Sequence, residues 1–237
     1  MNVISKENLL RSQRQIAEIK EFESDPFQIH NLLSKDQVAE LIDVYESSDK
    51  TVKDTGPVVS KIDYNNTVFR EILTKLSTVL GEFDIRYAHF FEVDRPHVLH
   101  IDDDFDFPRS YKAITVPLRH DGHTNPKFYV YNQHYYGGPA KFFKDREIDP
   151  SVHYNVPVTD YSNIDGIDDI GIPADVRNGI DHLKDKWLEG LSVKAYFPWN
   201  VTSGIVFDSL QIHSAGNFKQ QGVSKKLGLS IFTKDPK

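Results

Sequence analysis

Apolar positions along this chain recur first at a helical period and later at a strand period. Val38, Leu41, Ile42 and Tyr45 are spaced as one face of a helix, and Ser34 with Gln37 forms an S-x-x-Q pair that caps a helix start. This predicts an amphipathic helix over 35–47. Val68, Ile72, Leu76, Val79 and Leu80 predict a second helix over about 67–80, and Gly81 ends it. Residues 5–22 carry a weaker helical pattern, 25–33 read as a short strand, and 48–66 read as loop.

After Gly81 the period changes to that of strands. "FDIRYAHFFEV" (83–93), "PHVLHID" (96–102), "YKAITVPL" (111–118) and "KFYVYNQHY" (127–135) are rich in aromatic and β-branched residues and bounded by Pro, Gly, Asp or Asn. A strand-poor stretch follows over 136–172, of a kind that is usually functional or mobile in a compact domain. Val176, Ile180, Leu183, Trp187 and Leu191 then predict one more amphipathic helix. Strands resume with "LSVKAYFPW", "SGIVFDSLQIHSA" and "KKLGLSIFT". The order predicts an antiparallel β core with N-terminal helices packed on one side, as a sandwich, jelly-roll or barrel. One domain over 1–237 is expected, with a helical part (1–82), a β core (83–135 and 191–234) and an insertion (136–190).

Composition narrows the chemistry. The chain has no cysteine, so disulfides, thiolate metal sites and cysteine nucleophiles are excluded. No apolar run approaches the ~20 residues of a membrane helix. The first twenty residues read as a polar helix rather than a secretory signal, so a cytoplasmic setting and no membrane partner are expected. A net charge of −7 with no long basic run argues against a duplex nucleic-acid partner, whose affinity comes from neutralising phosphates.

The densest chemistry is "HVLHIDDDFD" (97–106). In a strand, residues i and i+2 share a face, so His100 and Asp102 can present an imidazole and a carboxylate together. "SLQIHSAGNF" supplies a distant His213. Two histidines and one carboxylate on one face of an octahedron suit Fe(II) and leave positions open. A calcium loop starting at Asp102 would need Gly at its sixth position and Glu at its twelfth; Phe107 and Ala113 stand there. His97 and His100, three apart, would lie on opposite faces of a strand, and His120 and His123 flank a turn where histidines are usually solvated.

In this order and spacing, His100-Ile101-Asp102, then His213, then Lys225 and Lys226 resemble the signature of the Fe(II)/2-oxoglutarate-dependent dioxygenases. The likeness is greatest to the phytanoyl-CoA dioxygenase-like branch and to related small-molecule and prolyl hydroxylases. It covers 83–135 and 195–233, and the opening "DPFQIHNLLSKDQVAELIDVY" is similar too. The phytanoyl-type branch usually carries Arg where this chain carries Lys, as prolyl hydroxylases do.

The resemblance implies a double-stranded β-helix, a cupin-like jelly-roll, with Fe(II) held by His100, Asp102 and His213. It implies 2-oxoglutarate as cosubstrate, its distal carboxylate on a buried Lys, and O2 as oxidant. It further implies hydroxylation of a small molecule or a protein side chain, with succinate and CO2 released. Strand parity puts Lys226, Gly228 and Ser230 opposite the apolar face of Leu227, Leu229 and Ile231, which favours Lys226 over Lys225 as the cosubstrate residue. Asn217, Thr115 and Tyr131 are further cosubstrate candidates. Asp208 is either an acceptor orienting a metal ligand or part of a turn. Asp102 fills the carboxylate position that halogenating relatives replace with a small residue. The alternative is a cupin-like metal-binding isomerase or sugar-binding module, although such proteins usually carry His-x-His, absent here.

Overall fold

The computed structural model describes residues 17, 20–52, 57–102, 110–136 and 164–236. Most of the helix expected over 5–22, the Asp-rich run past Asp102, and 137–163 of the insertion lie outside them. In chain order the elements are β1 (Phe27–Ile29), α1 (Lys35–Ser47), β2 (Thr51–Val52), β3 (Val58–Lys61), α2 (Thr67–Leu80), β4 (Phe83–Val93), β5 (Lys112–His120) and β6 (Lys127–Tyr135). Then follow β7 (Ile164–Asp165), α3 (Ala174–Gly179), α4 (Asp185–Leu188), β8 (Val193–Pro198), β9 (Gly204–Asp208), β10 (Gln211–Ala215) and β11 (Lys226–Pro236).

The two long helices begin and end where side-chain chemistry dictates. Ser34 accepts from Gln37 N, and the Gln37 side chain accepts from Ser34 N, so both free N–H groups at the start of α1 are met. Asn66 caps α2 by accepting from Phe69 N at 2.9 Å. Gly81 ends α2 at φ +80°, a backbone region that side chains disfavour.

Two antiparallel sheets face each other. The larger has strand order β1-β9-β5-β11-β4-β3-β2. In the smaller, β10 borders one edge of β6 while β7 and β8 share the other. Alternation along the strands assigns the faces. Ile114, Val116, Leu118, Leu227, Leu229 and Ile231 point outward from the larger sheet, under Leu41 and Tyr45 of α1 and Phe69, Ile72 and Leu76 of α2. Phe69, Ile72 and Leu76 are 0% exposed, each burial being worth about 2 kcal/mol. Ala113, Phe128, Val130, Ile205, Phe207 and Phe232 form a smaller cluster between the sheets. The outer face of the smaller sheet, with Tyr129, Tyr131 and Ile212, packs against Val176, Ile180, Leu183, Trp187 and Leu191. This is a double-stranded β-helix with the N-terminal helices on one outer face. Among the described residues no helix is long and apolar enough to cross a membrane.

Three expectations need correction. The 48–66 loop contains β2 and β3, which extend the sheet beyond β4. The single helix expected over the Val176–Leu191 stripe is two short ones. The first ends at Gly179, where a Cβ would fall 2.2 Å from the Tyr129 hydroxyl, so only glycine fits against the sheet there. Arg177 closes the break by donating to Ile180 O at 3.0 Å and Leu183 O at 2.8 Å. All five stripe residues are still buried, so the period was real while the helix was not continuous. Finally, 96–102 is no regular strand: only His100 forms a bridge, antiparallel to His213.

Candidate metal centre

That bridge positions the site. His100 N donates to His213 O at 3.1 Å and His213 N to His100 O at 3.0 Å. Asp102 N donates to Ser209 O at 2.8 Å, which brings the end of the irregular segment back against the turn before β10. The ligand-type atoms of His100, Asp102 and His213 all lie within 4.8 Å of one another. Asp102 Oδ1 is 3.7 Å from His100 Nε2, and its Oδ2 is 3.4 Å from His213 Nε2.

Both histidines are oriented the same way. His100 Nδ1 lies 2.7 Å from Val98 O, and His213 Nδ1 lies 2.9 Å from Gln211 O. In each case the carbonyl belongs to the residue two positions earlier. A carbonyl only accepts, so each Nδ1 carries a proton and each Nε2 is the nitrogen turned toward the shared space. Burial lowers the His100 pKa well below its ordinary value, and the neighbouring His213 and His97 rings push the same way, so the imidazole is neutral, as a metal ligand must be. Burial pulls the Asp102 carboxyl upward, but His213 and His100 outweigh it and its pKa is lowered. Phe207 and Phe128 flank the His213 ring at centroid distances of 4.5 and 5.4 Å, forming a dry wall.

His97 differs from expectation. Its ring stands 4.3 Å from that of His100, because the segment is not a strand and the alternation of faces does not apply. It is not among the ligand-type atoms that converge.

The two lysines separate as strand parity predicts. The Lys225 side chain is 60% exposed and pairs with Glu92 at 3.2 Å. Lys226 is 2% exposed. Its ammonium lies 4.1 Å from the Trp199 ring and 4.8 Å from the Phe218 ring. Among the described residues it has neither a hydrogen-bond acceptor nor a carboxylate partner, and burial pulls its pKa down to about 7. A buried cation left in this state calls for an anion.

The other candidates are more scattered. Thr115 is 6% exposed and pairs across the strands with Ser230. Tyr131 lies on the outer face of the smaller sheet, where its hydroxyl is 3.2 Å from Ser214 Oγ. Asn217 Nδ2 donates to Asp181 Oδ1 at 2.6 Å, tying two loops together. Asp208 is buried but touches neither metal-type histidine. It pairs with Lys112 and accepts from Ser24 N at 3.1 Å, and His134 Nε2 is 3.2 Å away. Sequence reasoning missed this network. A lone Lys in the apolar run "YKAITVPL" was its signal, because a buried ammonium demands a partner.

No family model matches this sequence, and no curated protein does. Solved structures do. The chain is similar to the non-heme alpha ketoglutarate dependent epimerase SnoN from nogalamycin biosynthesis, with 14% identity, 96% of this chain and 84% of that chain covered, and a TM-score of 0.51. The fold is that of the Fe(II)/2-oxoglutarate oxygenases. A Pseudomonas putida prolyl-4-hydroxylase also aligns, at 11% identity over 94% of this chain and 100% of that one, with a TM-score of 0.49. Within this oxygenase fold, His100, Asp102 and His213 gather between the sheets, and Lys226 lies at the start of the strand that pairs with β4 and β5.

Proposed function

We propose that this protein is an Fe(II)- and 2-oxoglutarate-dependent dioxygenase that hydroxylates a small molecule or a protein side chain. The carrying observation is the convergence of ligand atoms from two histidines and one carboxylate within 4.8 Å of one another. This donor set contains nitrogen and oxygen but no thiolate, and suits Fe(II). The unpaired Lys226 ammonium suits the distal carboxylate of the cosubstrate. When bound, iron and 2-oxoglutarate supply the oxidising chemistry, in which one oxygen atom of O2 ends in succinate and the other in the product.

The remaining work falls to the chain's own groups. His100 and His213 direct Nδ1 at main-chain carbonyls, so Nε2 is the nitrogen each would offer to iron. Asp102 remains ionised, and Phe128 and Phe207 exclude water from the His213 side. Lys226 anchors the cosubstrate by its charge, with Trp199 and Phe218 fixing where that charge sits.

Anaerobic titration of Fe(II)-loaded protein with 2-oxoglutarate tests this reading. A metal-to-ligand charge-transfer band in the visible is expected, and His213→Ala should abolish it together with iron binding. Iron bound without a band would favour the cupin-like alternative, and wild-type iron affinity in the His100, Asp102 and His213 alanine variants would refute the site.

A further inference from the structure

The two sheets agree on which end of the barrel lies opposite Lys226. On the larger sheet Lys226 pairs with His120 and Asp208 pairs with Lys112, at the two ends of β5. On the smaller sheet Trp199, whose ring lies against the Lys226 ammonium, donates its main-chain N–H to Pro126 O just before β6. Further along β6, His213 pairs with Val130 and Gln211 with His134. His134 in turn reaches across to Asp208, 3.2 Å away. His213 thus lies between the Lys226 end and the His134–Asp208 end.

A cavity of about 410 Å³ opens at that second end, and its lining is rich in acceptors. Gln211 lines it, two residues before His213, and is 2% exposed. Its Nε2 donates to Tyr131 O at 2.7 Å, which fixes the orientation of the amide, and its buried Oε1 meets no donor. A buried acceptor left in that state needs an explanation. His134 directs Nε2 at the Asp208 carboxylate, which only accepts, so in the neutral ring Nδ1 is an acceptor too. Glu23, Asp25 and Asp165 line the cavity with exposed carboxylates. Against them the lining holds one lysine, Lys194, already paired with Asp25 at 2.8 Å. Lys20 pairs with Asp165 at 2.5 Å. Glu23 accepts from the Tyr136 hydroxyl, and no lysine or arginine pairs with it among the described residues. Lys226 is a cation without an acceptor; this cavity is the converse, acceptors without a donor.

Resting on the dioxygenase function proposed above, we propose that this cavity receives the prime substrate and that the substrate carries an alkylammonium group. Its N–H donors meet Gln211 Oε1, and Glu23 supplies the counter-charge. The cosubstrate then approaches the centre from the Lys226 end and the amine from the other.

The test is calorimetric, on the full chain loaded anaerobically with Fe(II) and 2-oxoglutarate. 1,4-Diaminobutane and Nα-acetyl-lysine amide present the ammonium as a free amine and as a protein side chain. 1,4-Butanediol and Nα-acetyl-norleucine amide are their uncharged counterparts. At least one amine should bind about tenfold or more tighter than its counterpart, as expected for a hydrogen bond to a charged group, and the tighter amine names the source. Gln211→Met should cut that affinity about tenfold, and Glu23→Gln, on an exposed side chain, about threefold, with the uncharged ligands unmoved. A wild-type preference under about tenfold, or variants that weaken charged and uncharged ligands equally, would overturn the assignment. So would an amine affinity that neither variant changes. If Fe(II) and 2-oxoglutarate give their charge-transfer band while neither amine is preferred, only the substrate assignment falls. If no band forms, the dioxygenase reading falls and takes the substrate assignment with it.

Discussion

Lys112 opens β5, and Lys226 pairs in register with the last residue of that strand, His120, so the two lysines mark its opposite ends. Each is 2% exposed. The Lys112 ammonium is fully met, by the Asp208 carboxylate, by Ser24 Oγ at 2.8 Å and by Phe22 O at 3.0 Å. The Lys226 ammonium has aromatic rings around it and no acceptor. The same side chain at the same depth thus serves two purposes. A buried charge with its counter-charge built in is part of the scaffold, whereas one without it is a receptor for something that arrives later.

Three measurements would sharpen or break this contrast. The largest effect should come from Lys112→Met. It strands a buried Asp208 that keeps only Ser24 N and His134 nearby, and urea unfolding should show a loss of about 3 kcal/mol. Lys226→Met should do the reverse. The free protein should unfold at no lower temperature, because an unpaired charge is gone, while 2-oxoglutarate affinity falls at least about a hundredfold, near 2.7 kcal/mol. Lys225→Ala, on an exposed side chain, should change that affinity less than about twofold. A stability loss in Lys226→Met like that of Lys112→Met would erase the distinction.

The same contrast has a pH signature. Lys226 in the free protein titrates near 7, well below its ordinary 10.5. Above that point it is neutral, yet an anionic cosubstrate needs the ammonium, so binding must take up a proton. Affinity should then fall by up to about tenfold per pH unit above 7 and level off below it. The slope should vanish in Lys226→Met. In unfolding, the sign is opposite: between about 7 and 10.5 the unfolded chain binds the extra proton, so the free protein gains stability as pH rises.

Much of this architecture was legible where local signals agree. The Ser34–Gln37 box and Gly81 fixed helix ends, and β4 and β6 begin and end where their aromatic runs do. The parity of Leu227, Leu229 and Ile231 placed Lys226 inward and Lys225 outward. What stayed hidden depends on partners distant in sequence. Strands β2 and β3 are short, and only the pairing of β3 with β4 and of β2 with β3 makes them strands. The need for glycine at 179 comes from a Tyr129 hydroxyl fifty residues earlier. Asp208 looked like a turn residue because its partners, Lys112 and His134, lie 96 and 74 positions away.

The two metal-type histidines each borrow a carbonyl from their own chain two residues back. Their tautomers are therefore held by main-chain atoms that every amino acid supplies. Mutation of the neighbouring side chains leaves that restraint in place. A lineage built on this chain can remodel the pocket walls toward new substrates without disturbing the protonation of the centre, so substrate range and metal chemistry can drift apart under selection.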